Sequence, residues 1–404
     1  MRSASLLPAS ATRRVLILEP DLDGHHAFWL SLIIEAYGRA GWAVELLTTG
    51  DASRLSEQLA LRGHGAGRDS GARFHAAPEN AGEAELLARA RALARETGAD
   101  EIFVAFLDRY WSAILAEGHG AEKLTGIWFH PHALDARWRW LPPLDKRWKT
   151  HGRVHRFLRS GRASHKLAKV FFTVPEPAAR LARLNPRILT QALPDPFERE
   201  PSLGRSEARE RLGLPSDRFI FLHIGSSERR KGLPDALAAF ARLAKGRVIG
   251  AGGRRPLLLR VGSTVRLKGW ERGLLDKLLS EDLARTVETF VSAEEFMEYF
   301  SAADRVLITY RKFRYSSGIL ANAIGAGRAV IAADYGEIGR EVAERGLGEL
   351  YRVGSVAGLA EAMGRALADI EAPRAAAAAD RAARTPEVFV ARLAEGLGYR
   401  RTLP

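Results

Sequence analysis

The first fifty residues alternate between short apolar runs and a longer segment of helical periodicity. Residues 14–20 (RVLILEP) form an apolar run bounded by turn residues, as in a buried parallel strand. After a loop at residues 21–24, residues 25–40 carry apolar side chains at helical spacing, and residues 43–48 (AVELLT) are a second apolar run. This strand–helix–strand pattern is typical of the start of a doubly wound α/β sheet.

The same alternation continues through the first half of the chain. A helix is predicted at residues 83–97, and further strands are predicted at residues 101–107, 126–130 and 170–174, the last of which would close this half. Prolines 194 and 196 cannot lie inside a helix or a central strand, so residues 193–196 (LPDP) are predicted to be a linker.

After this linker the pattern starts again. Strands are predicted at residues 219–224, 257–261, 289–291, 305–309 and 329–333, with helices at residues 233–243, 271–279 and 294–301. A final helix is predicted at residues 386–397, because Thr385 can cap its start and Pro386 suits the first helical position. The pattern therefore predicts two successive α/β domains.

Length and composition agree with this division and exclude several kinds of site. A chain of 404 residues is too long for one ordinary core. It has no cysteine, which excludes disulfides, thiolate metal sites and a cysteine nucleophile. The N-terminus lacks an apolar stretch of signal-peptide length, and no run approaches the roughly 18 apolar residues of a membrane-spanning helix. We therefore expect a cytoplasmic protein.

Two loops in the second half have the composition of a diphosphate-binding site. Each follows a predicted strand, and ligands of open α/β sheets bind at the carboxyl ends of the strands. A diphosphate is bound by backbone N–H groups at a helix start together with a cation. The candidate binding residues are Gly225, Ser226, Arg230, Lys231, Ser316, Ser317 and Gly318. The alternative interpretation is that the serines cap helices and the cations are solvated.

Four segments occur in the order found in one enzyme family. They are FLHIGSSERRKG at 221–232, LLLRVGS at 257–263, FVSAEEFMEYFSAADRVLI at 290–308 and SSGILANAIGAGRAVIAADYG at 316–336. Together they resemble the donor-binding domain of GT-B glycosyltransferases, specifically the large retaining family 4. The linker and the segment VGSVAGLAEAM at 353–363 are also similar to that family.

The resemblance implies a GT-B fold, with two Rossmann-like doubly wound domains, a cleft between them and a C-terminal helix that crosses back. Residues 1–192 with 386–404 would then bind the acceptor, and residues 193–385 the nucleotide sugar. The implied reaction is transfer of a hexose-type sugar from a nucleoside diphosphate to a polysaccharide, lipid-linked or protein acceptor, with retention. No metal or other cofactor is implied, and the departing phosphate would help to deprotonate the acceptor.

Three positions differ from the family pattern. The family carries two glutamates eight positions apart, and Arg314 and Asn322 stand at these places. By resemblance, position 322 contacts the ribose, and the amide oxygen of Asn322 could do so as a neutral acceptor. The arginine that usually follows the glycine of the first loop is Ser226, so Arg229, Arg230 or Arg314 would have to supply its charge.

The N-terminal half offers a glycine loop and two groups of histidines. Gly24 allows close backbone approach to a ligand, and His25 and His26 begin the following helix. By resemblance, a histidine at the end of a strand contacts the donor sugar, and His130 fits this place best, with His132 as the alternative. A neutral imidazole can donate one hydrogen bond to a sugar hydroxyl and accept another.

A metal site is not predicted, although two aspartates stand close together. Asp21 and Asp23 have the spacing of a carboxylate pair that holds manganese, but that motif belongs to the other major glycosyltransferase fold. No carboxylate pair of the glycosidase type is evident either, so the acid–base residue is not identified.

Residues 137–169 contain most of the net positive charge of the chain. The chain carries +13, and this segment has eleven cations and one acid, with three tryptophans interleaved. Its cations are Arg137, Arg139, Lys146, Arg147, Lys149, Arg153, Arg156, Arg159, Arg162, Lys166 and Lys169. Tryptophan with cations suits an anionic membrane interface, so we expect this segment to dock on the inner face of the membrane or on a charged glycolipid. The alternative interpretation is a solvated surface segment without a partner.

Three alternative interpretations compete with an active glycosyltransferase. The two replaced glutamates are consistent with a degenerate GT-B protein that binds a partner without catalysis. Another GT-B enzyme, such as a sugar-nucleotide epimerase or a phosphorylase, has the same predicted fold. A nucleic-acid-binding protein is the third alternative, but none of the usual nucleic-acid motifs is present, so we expect no nucleic acid partner.

Overall fold

The structure is a computed structural model. It describes residues 12–22, 25–49, 53, 71–117, 122–135, 146–226, 228–246, 249–289, 291–368 and 379–398. The chain divides into two compact units, one formed by Met1–Leu193 with Phe389–Pro404 and the other by Pro194–Val388. Each unit is built around one sheet with helices packed on it.

Unit 1 has a seven-stranded parallel sheet. Its strands are β1 (Arg14–Leu18), β2 (Ala43–Thr49), β3 (Arg73–Ala77), β4 (Glu101–Val104), β5 (Leu124–Ile127), β6 (Leu167–Phe172) and β7 (Leu189–Ala192). Its helices are α1 (His25–Arg39), α2 (Glu83–Thr97), α3 (Leu107–Ala116), α4 (Lys146–Arg159), α5 (Gly161–Lys166) and α6 (Pro175–Leu184). The strand order is β3-β2-β1-β4-β5-β6-β7.

Helices cover both faces of this sheet, which explains why strand β1 is an almost continuous apolar run. In β1, Leu16 and Leu18 belong to one hydrophobic core, and Val15 and Ile17 belong to the core on the opposite face. All four side chains are fully buried. Successive side chains of a strand point to opposite faces, so a strand buried on both faces requires an uninterrupted apolar run.

Unit 2 has a six-stranded parallel sheet. Its strands are β8 (Arg218–Ile224), β9 (Arg255–Val261), β10 (Ala284–Val287), β11 (Arg305–Ile308), β12 (Val330–Ala333) and β13 (Gly348–Tyr351). Its helices are α7 (Arg205–Arg211), α8 (Leu233–Lys245), α9 (Gly269–Ser280), α10 (Ala293–Ala302), α11 (Gly318–Gly325), α12 (Gly336–Arg345) and α13 (Val356–Ala368). The strand order is β10-β9-β8-β11-β12-β13.

The last helix, α14 (Pro386–Gly398), returns the chain to unit 1, as predicted. Thr385 caps it, because the Thr385 hydroxyl accepts a hydrogen bond from the N–H of Val388 at 3.2 Å. Phe389 packs edge-on against Trp29 of α1, with ring centroids 5.1 Å apart. At the other end of the helix, the ammonium of Lys169 donates to the carbonyl oxygen of Leu397 at 2.7 Å.

The predicted strands 101–107 and 126–130 lie at Glu101–Val104 and Leu124–Ile127, and larger errors occur at the edges of the sheets. The strand predicted at residues 289–291 lies at Ala284–Val287, and β3, β7 and β13 were not predicted. The strand at Leu167–Phe172 is therefore not the last of its half. These four strands, β3, β7, β10 and β13, are the outermost strands of the two sheets. An edge strand is only partly covered, so its sequence is mixed and carries no continuous apolar run.

In each sheet the strand order reverses at one point. In unit 1 the reversal lies between β1 and β4, and in unit 2 it lies between β8 and β11. Loops at the carboxyl ends of the two strands diverge there and leave a crevice, which is where open α/β sheets bind ligands. The two crevices are the places at which a functional site is expected.

Candidate functional site

The crevice of unit 2 is lined by the loop after β8, which brings two of the predicted residues together. Gly225 has φ of +121°, a region that favours glycine. A Cβ atom at this position would lie 3.0 Å from the Nζ atom of Lys231. The loop therefore folds the ammonium group of Lys231 back onto the end of strand β8.

Three cations follow one another in this loop, but two of them are already neutralised. Arg229 pairs with the buried carboxylate of Glu271 at 2.9 Å. Arg230, a predicted binding residue, pairs with Glu228 at 2.6 Å. Within the described part of the chain, the ammonium group of Lys231 forms no ion pair. Lys231 is therefore the cation of this loop that remains available to an anionic ligand.

The environment of Lys231 is aromatic and polar. Its Nζ lies 5.9 Å from the ring centroid of Tyr310, the second residue after β11. The hydroxyl groups of Tyr310 and Ser317 lie 3.3 Å apart. Burial, together with the neighbouring charge of Arg230, lowers the pKa of Lys231 to about 8. Tyr310 was not predicted as a site residue. Its position just after a strand, at the point where the strand order reverses, could have identified it.

The loop is held against the segment that follows β11. The Thr309 hydroxyl donates to the carbonyl oxygen of Lys231 at 2.8 Å, and the N–H of Arg311 donates to the carbonyl oxygen of Arg230 at 2.7 Å. Gly232 adopts φ of +71°, and a Cβ atom there would lie 1.9 Å from the carbonyl oxygen of Thr309. Glycine at position 232 therefore lets the two loops touch and fixes the position of Lys231.

The lowered pKa of Lys231 predicts how binding depends on pH. A lysine attracts a diphosphate only when protonated, so affinity should be constant up to about pH 7.5 and fall by up to roughly tenfold per unit above about pH 8. Calorimetric titration with a nucleoside diphosphate between about pH 7 and pH 9.5 measures this profile. Lys231→Arg keeps its charge over this range and should give a flat profile. An equal fall in both proteins would contradict the assignment.

The second predicted loop lies at the start of α11 in the same unit. Ser316 is half-buried, Ser317 is buried and Gly318 is exposed. Because Ser317 is hydrogen-bonded to Tyr310, it is linked to the surroundings of Lys231. The Ser226 hydroxyl, in the first loop, donates to Glu228 at 3.1 Å.

Asn322 is buried, and both polar atoms of its side-chain amide are hydrogen-bonded to backbone groups. Its Nδ2 donates to the carbonyl oxygen of Gly318 at 2.8 Å, and its Oδ1 accepts from the N–H of Glu198 at 2.9 Å. The side chain therefore ties α11 to the segment that enters unit 2. Contact with a ribose stays a prediction. Arg314, at the other replaced position, donates to the Tyr335 hydroxyl at 3.0 Å.

The crevice of unit 1 contains a buried carboxylate. Glu19, directly after β1, is 1% exposed, and burial raises its pKa, an effect that His26 partly offsets. The Nδ1 atom of His26 lies 3.4 Å from a carboxylate oxygen of Glu19, and its ring packs against Phe106 from the end of β4. Gly24, the predicted phosphate-loop residue, lies outside the described residues.

Glu19, Asp21 and His26 are the group in this crevice that could hold a cation. Their potential ligand atoms lie within 4.8 Å of one another. Asp21, however, forms an ion pair with Arg109, and its N–H donates to Glu19 at 2.9 Å. Because the guanidinium of Arg109 already pairs with one of the two carboxylates, we do not assign a metal to this group. Asp23, the other aspartate of the pair considered above, lies outside the described residues.

His130 lies just beyond β5 and is about half exposed. Its backbone N–H donates to Asp108 at 2.7 Å, and its Nδ1 lies 3.4 Å from the same carboxylate. Asp108 lies in the first turn of α3, so this carboxylate positions the histidine at the carboxyl edge of the sheet. The alternative residue, His132, instead packs its ring against His151 of α4.

The described part of the basic segment forms α4, α5 and the start of β6. Its exposed cations are Lys149, Arg153, Arg156, Arg159 and Arg162. Two predicted members of the basic surface are buried instead: Lys166 donates to the carbonyl oxygen of Ile114 at 2.6 Å, and Lys169 donates to that of Leu397. Each contacts a carbonyl near the end of a helix, where a cation is favourable. Trp138 and Trp140 lie outside the described residues. Among the helices described, none is both long and apolar enough to cross a membrane.

No family model matches the chain, and no curated protein matches its sequence. Solved structures do match. Sucrose-phosphate synthase from Thermosynechococcus elongatus is 19% identical, with a TM-score of 0.67 over 95% of this chain and 98% of that one. Anabaena HepE, solved with UDP and glucose, is 17% identical, with a TM-score of 0.64 over 95% and 99% of the two chains.

WaaG, a glycosyltransferase involved in lipopolysaccharide biosynthesis, matches equally well. It is 18% identical, with a TM-score of 0.64 over 96% of this chain and all of the other. At identities below 20%, these full-length likenesses establish the fold that the three proteins share with this chain.

Proposed function

The chain has the GT-B fold, and we propose that it is a glycosyltransferase that moves a sugar from a nucleoside diphosphate to an acceptor. The observation that carries the proposal is the position of Lys231, a cation without an ionic partner among the described residues, folded over Gly225 in the crevice of unit 2. A cation beside a glycine loop at the reversal point of a parallel sheet is suited to a diphosphate. Transfer is proposed to proceed with retention.

The donor site is proposed for unit 2. Of the predicted binding residues of this unit, Ser226, Arg230 and Gly318 are exposed, and Ser316 is half-buried. Anabaena HepE, which shares the fold, has been solved with UDP-glucose. We propose a nucleotide sugar as the donor, with the nucleoside diphosphate released at the end of the reaction.

The acceptor site is proposed for unit 1. His130 is held at the carboxyl edge of the sheet by Asp108 and has a half-exposed ring that can bind a sugar hydroxyl. Acceptors of the proposed enzyme are a polysaccharide, a lipid-linked glycan or a protein. The participation of WaaG in lipopolysaccharide biosynthesis favours a glycolipid among these.

The proposed activity can be tested in two steps. The first is a thermal-shift panel with UDP-, GDP-, dTDP- and ADP-sugars, in which a donor present at about 100 times its dissociation constant should add about 2.7 kcal/mol of stability. The second is the release of nucleoside diphosphate from the donor that binds. Release that depends on an added glycan acceptor supports transfer, whereas binding without any release supports a non-catalytic GT-B protein. No binding to any donor would contradict the proposal.

The exposed face of α4 and α5 is the second feature with a proposed partner. In these helices the apolar side chains of Val154, Leu158 and Ala163 are buried, while five cations face outward. We propose that this basic face binds anionic lipid, which would place a cytoplasmic enzyme at the inner surface of the membrane next to a lipid-linked acceptor.

Reversing two charges on this face should release the protein from anionic vesicles. Each basic residue near such a surface contributes about 1 kcal/mol, so R153E/R156E should bind roughly 30-fold more weakly or worse. Flotation with vesicles containing phosphatidylserine at low salt measures this. The control R242E/K245E makes the same charge change on the exposed side of α8 in unit 2 and should bind like the wild type. Equal loss in both variants, or no binding by the wild type, would contradict the proposed surface.

A further inference from the structure

A buried arginine lies directly behind the loop that carries Gly225. Arg260, near the end of β9, is fully buried, and it forms no ion pair with a described carboxylate. The charge of Glu288 partly offsets the effect of burial on the pKa of Arg260. Its Nη1 atom lies 3.0 Å from Nδ1 of His223. Its Nη2 atom donates to the carbonyl oxygens of Gly225 at 2.7 Å and Ser263 at 2.8 Å.

The neighbouring histidine does not share the positive charge of this arginine. Burial, together with the charge of Arg260, lowers the pKa of His223 to about 3, so the imidazole is neutral at physiological pH. The guanidinium remains charged, since burial lowers the pKa of Arg260 only to about 10. A buried charge without a close counter-ion is costly, and here it lies behind the candidate diphosphate site.

Arg260 also fixes the orientation of one peptide group in the loop. In a planar trans peptide the C=O and the following N–H point in opposite directions, and no cis peptide occurs among the described residues. Since Arg260 holds the Gly225 carbonyl inward, the N–H of Ser226 points to the other side. Ser226 is exposed, and its N–H donates to no described protein group. A Cβ atom at Gly262 would lie 2.2 Å from the Gly225 oxygen, so glycine at position 262 leaves room for this arrangement.

We propose that Arg260 is the positioning residue of an anion site in which the Ser226 N–H and the Lys231 ammonium bind the diphosphate of the donor. This inference rests on the proposed function and adds how the charged groups of the donor site are arranged. The loop arginine expected from the resemblance is serine at position 226. Arg260 supplies the positive charge that this loop arginine would have provided. Arg260 lies behind the backbone, where it orients the Ser226 peptide without touching the ligand.

The first test compares R260Q and R260K with the wild type in the full-length protein. Calorimetric titrations use UDP, GDP, dTDP, ADP and inorganic pyrophosphate. Glutamine keeps a hydrogen-bond donor but removes the charge, so R260Q should lose about tenfold or more in affinity for each diphosphate that binds the wild type. R260K keeps the charge and should lose less. Affinity for the parent nucleoside, which has no phosphate, should not change.

The pH profile separates the charge of Arg260 from its role in packing. The charge of Arg260 contributes to the lowered pKa of Lys231. The loss of diphosphate affinity above about pH 8 should therefore move to higher pH in R260Q and stay in place in R260K. A packing defect without an electrostatic role would leave the two variants alike.

A buried arginine of the same unit provides the matched control. Arg209 is as well buried as Arg260, but it pairs with Asp304 at 2.6 Å. R209Q should lower the thermal midpoint and leave diphosphate affinity unchanged. A further variant addresses the peptide itself: S226P removes the N–H of residue 226 and should weaken diphosphate binding about tenfold or more.

The outcomes distinguish a failure of the inference about Arg260 from a failure of the proposed function. If the wild type binds a diphosphate and R260Q binds it equally well, the inference is overturned and the proposed function stands. If R260Q weakens the diphosphate and the nucleoside by the same factor, Arg260 only supports the fold and the inference is again overturned. If the wild type binds none of the five probes, the proposed function is overturned together with the inference.

Discussion

Replacing Lys231 with alanine is expected to weaken the binding of nucleoside diphosphates roughly 10- to 150-fold. A hydrogen bond to a charged group is worth about 1.5–3 kcal/mol, which corresponds to that range. The expectation rests on the loop around Lys231, where Arg229 and Arg230 are paired with glutamates and Lys231 is not. Calorimetric titration with the diphosphate that binds the wild type measures the effect.

Lys245→Ala is the matched control for this substitution. Lys245 ends α8, the helix that begins two residues after Lys231, and it is exposed. Its loss removes the same charge from the same unit, away from the crevice, so K245A should bind like the wild type. If K231A and K245A bound the diphosphate equally well, Lys231 would not be the cation of the donor site.

Replacing Gly232 with alanine is expected to lower the thermal midpoint of unit 2 by roughly 10 °C or more. The new Cβ atom would lie 1.9 Å from the backbone oxygen of Thr309, and backbone cannot move aside as the end of a side chain can. Clashes of this kind give losses above about 4 kcal/mol, and each kcal/mol corresponds to about 2–4 °C in a domain of this size. Scanning calorimetry measures the midpoint.

Gly213→Ala separates the steric clash from the backbone strain. Gly213 also has a positive φ, of +61°, but a Cβ atom there would meet nothing within 4 Å. Alanine at this position should cost only the strain of about 1–2 kcal/mol, or a few degrees. Equal midpoints for G232A and G213A would show that the loops after β8 and β11 are not in close contact.

The central strands could be predicted from the sequence, whereas the edge strands could not. Strands β1 and β8 are covered on both faces, so most of their positions are apolar, and a run such as FIFLHI is visible without a structure. Strand β7 (LTQA) is half-buried along its whole length and has no such pattern. Its existence follows from parallel pairing with β6, which is a long-range contact.

The same distinction applies to the candidate site. Lys231 follows Gly225 within one loop, so local composition was enough to predict both, and the confirmed fold places them at a reversal point. Arg260 lies in a different strand, and in the sequence it is one cation in an apolar run. Its contact with Gly225 depends on the pairing of β8 with β9, in which His223 and Arg260 are register partners. Predicting that contact requires the register of the sheet, which single-sequence patterns do not contain.

The most direct test of the central claim is to modify the lysines of the full-length protein and ask whether a nucleoside diphosphate protects Lys231. A lysine with a pKa of about 8 reacts with an acylating reagent at neutral pH faster than an ordinary lysine. Mass spectrometry then compares the modification of Lys231 and Lys245 with and without UDP, GDP, dTDP and ADP. At least one diphosphate should protect Lys231 and leave the modification of Lys245 unchanged. Modification of Lys231 to the same extent with and without every diphosphate would contradict a donor site in this crevice.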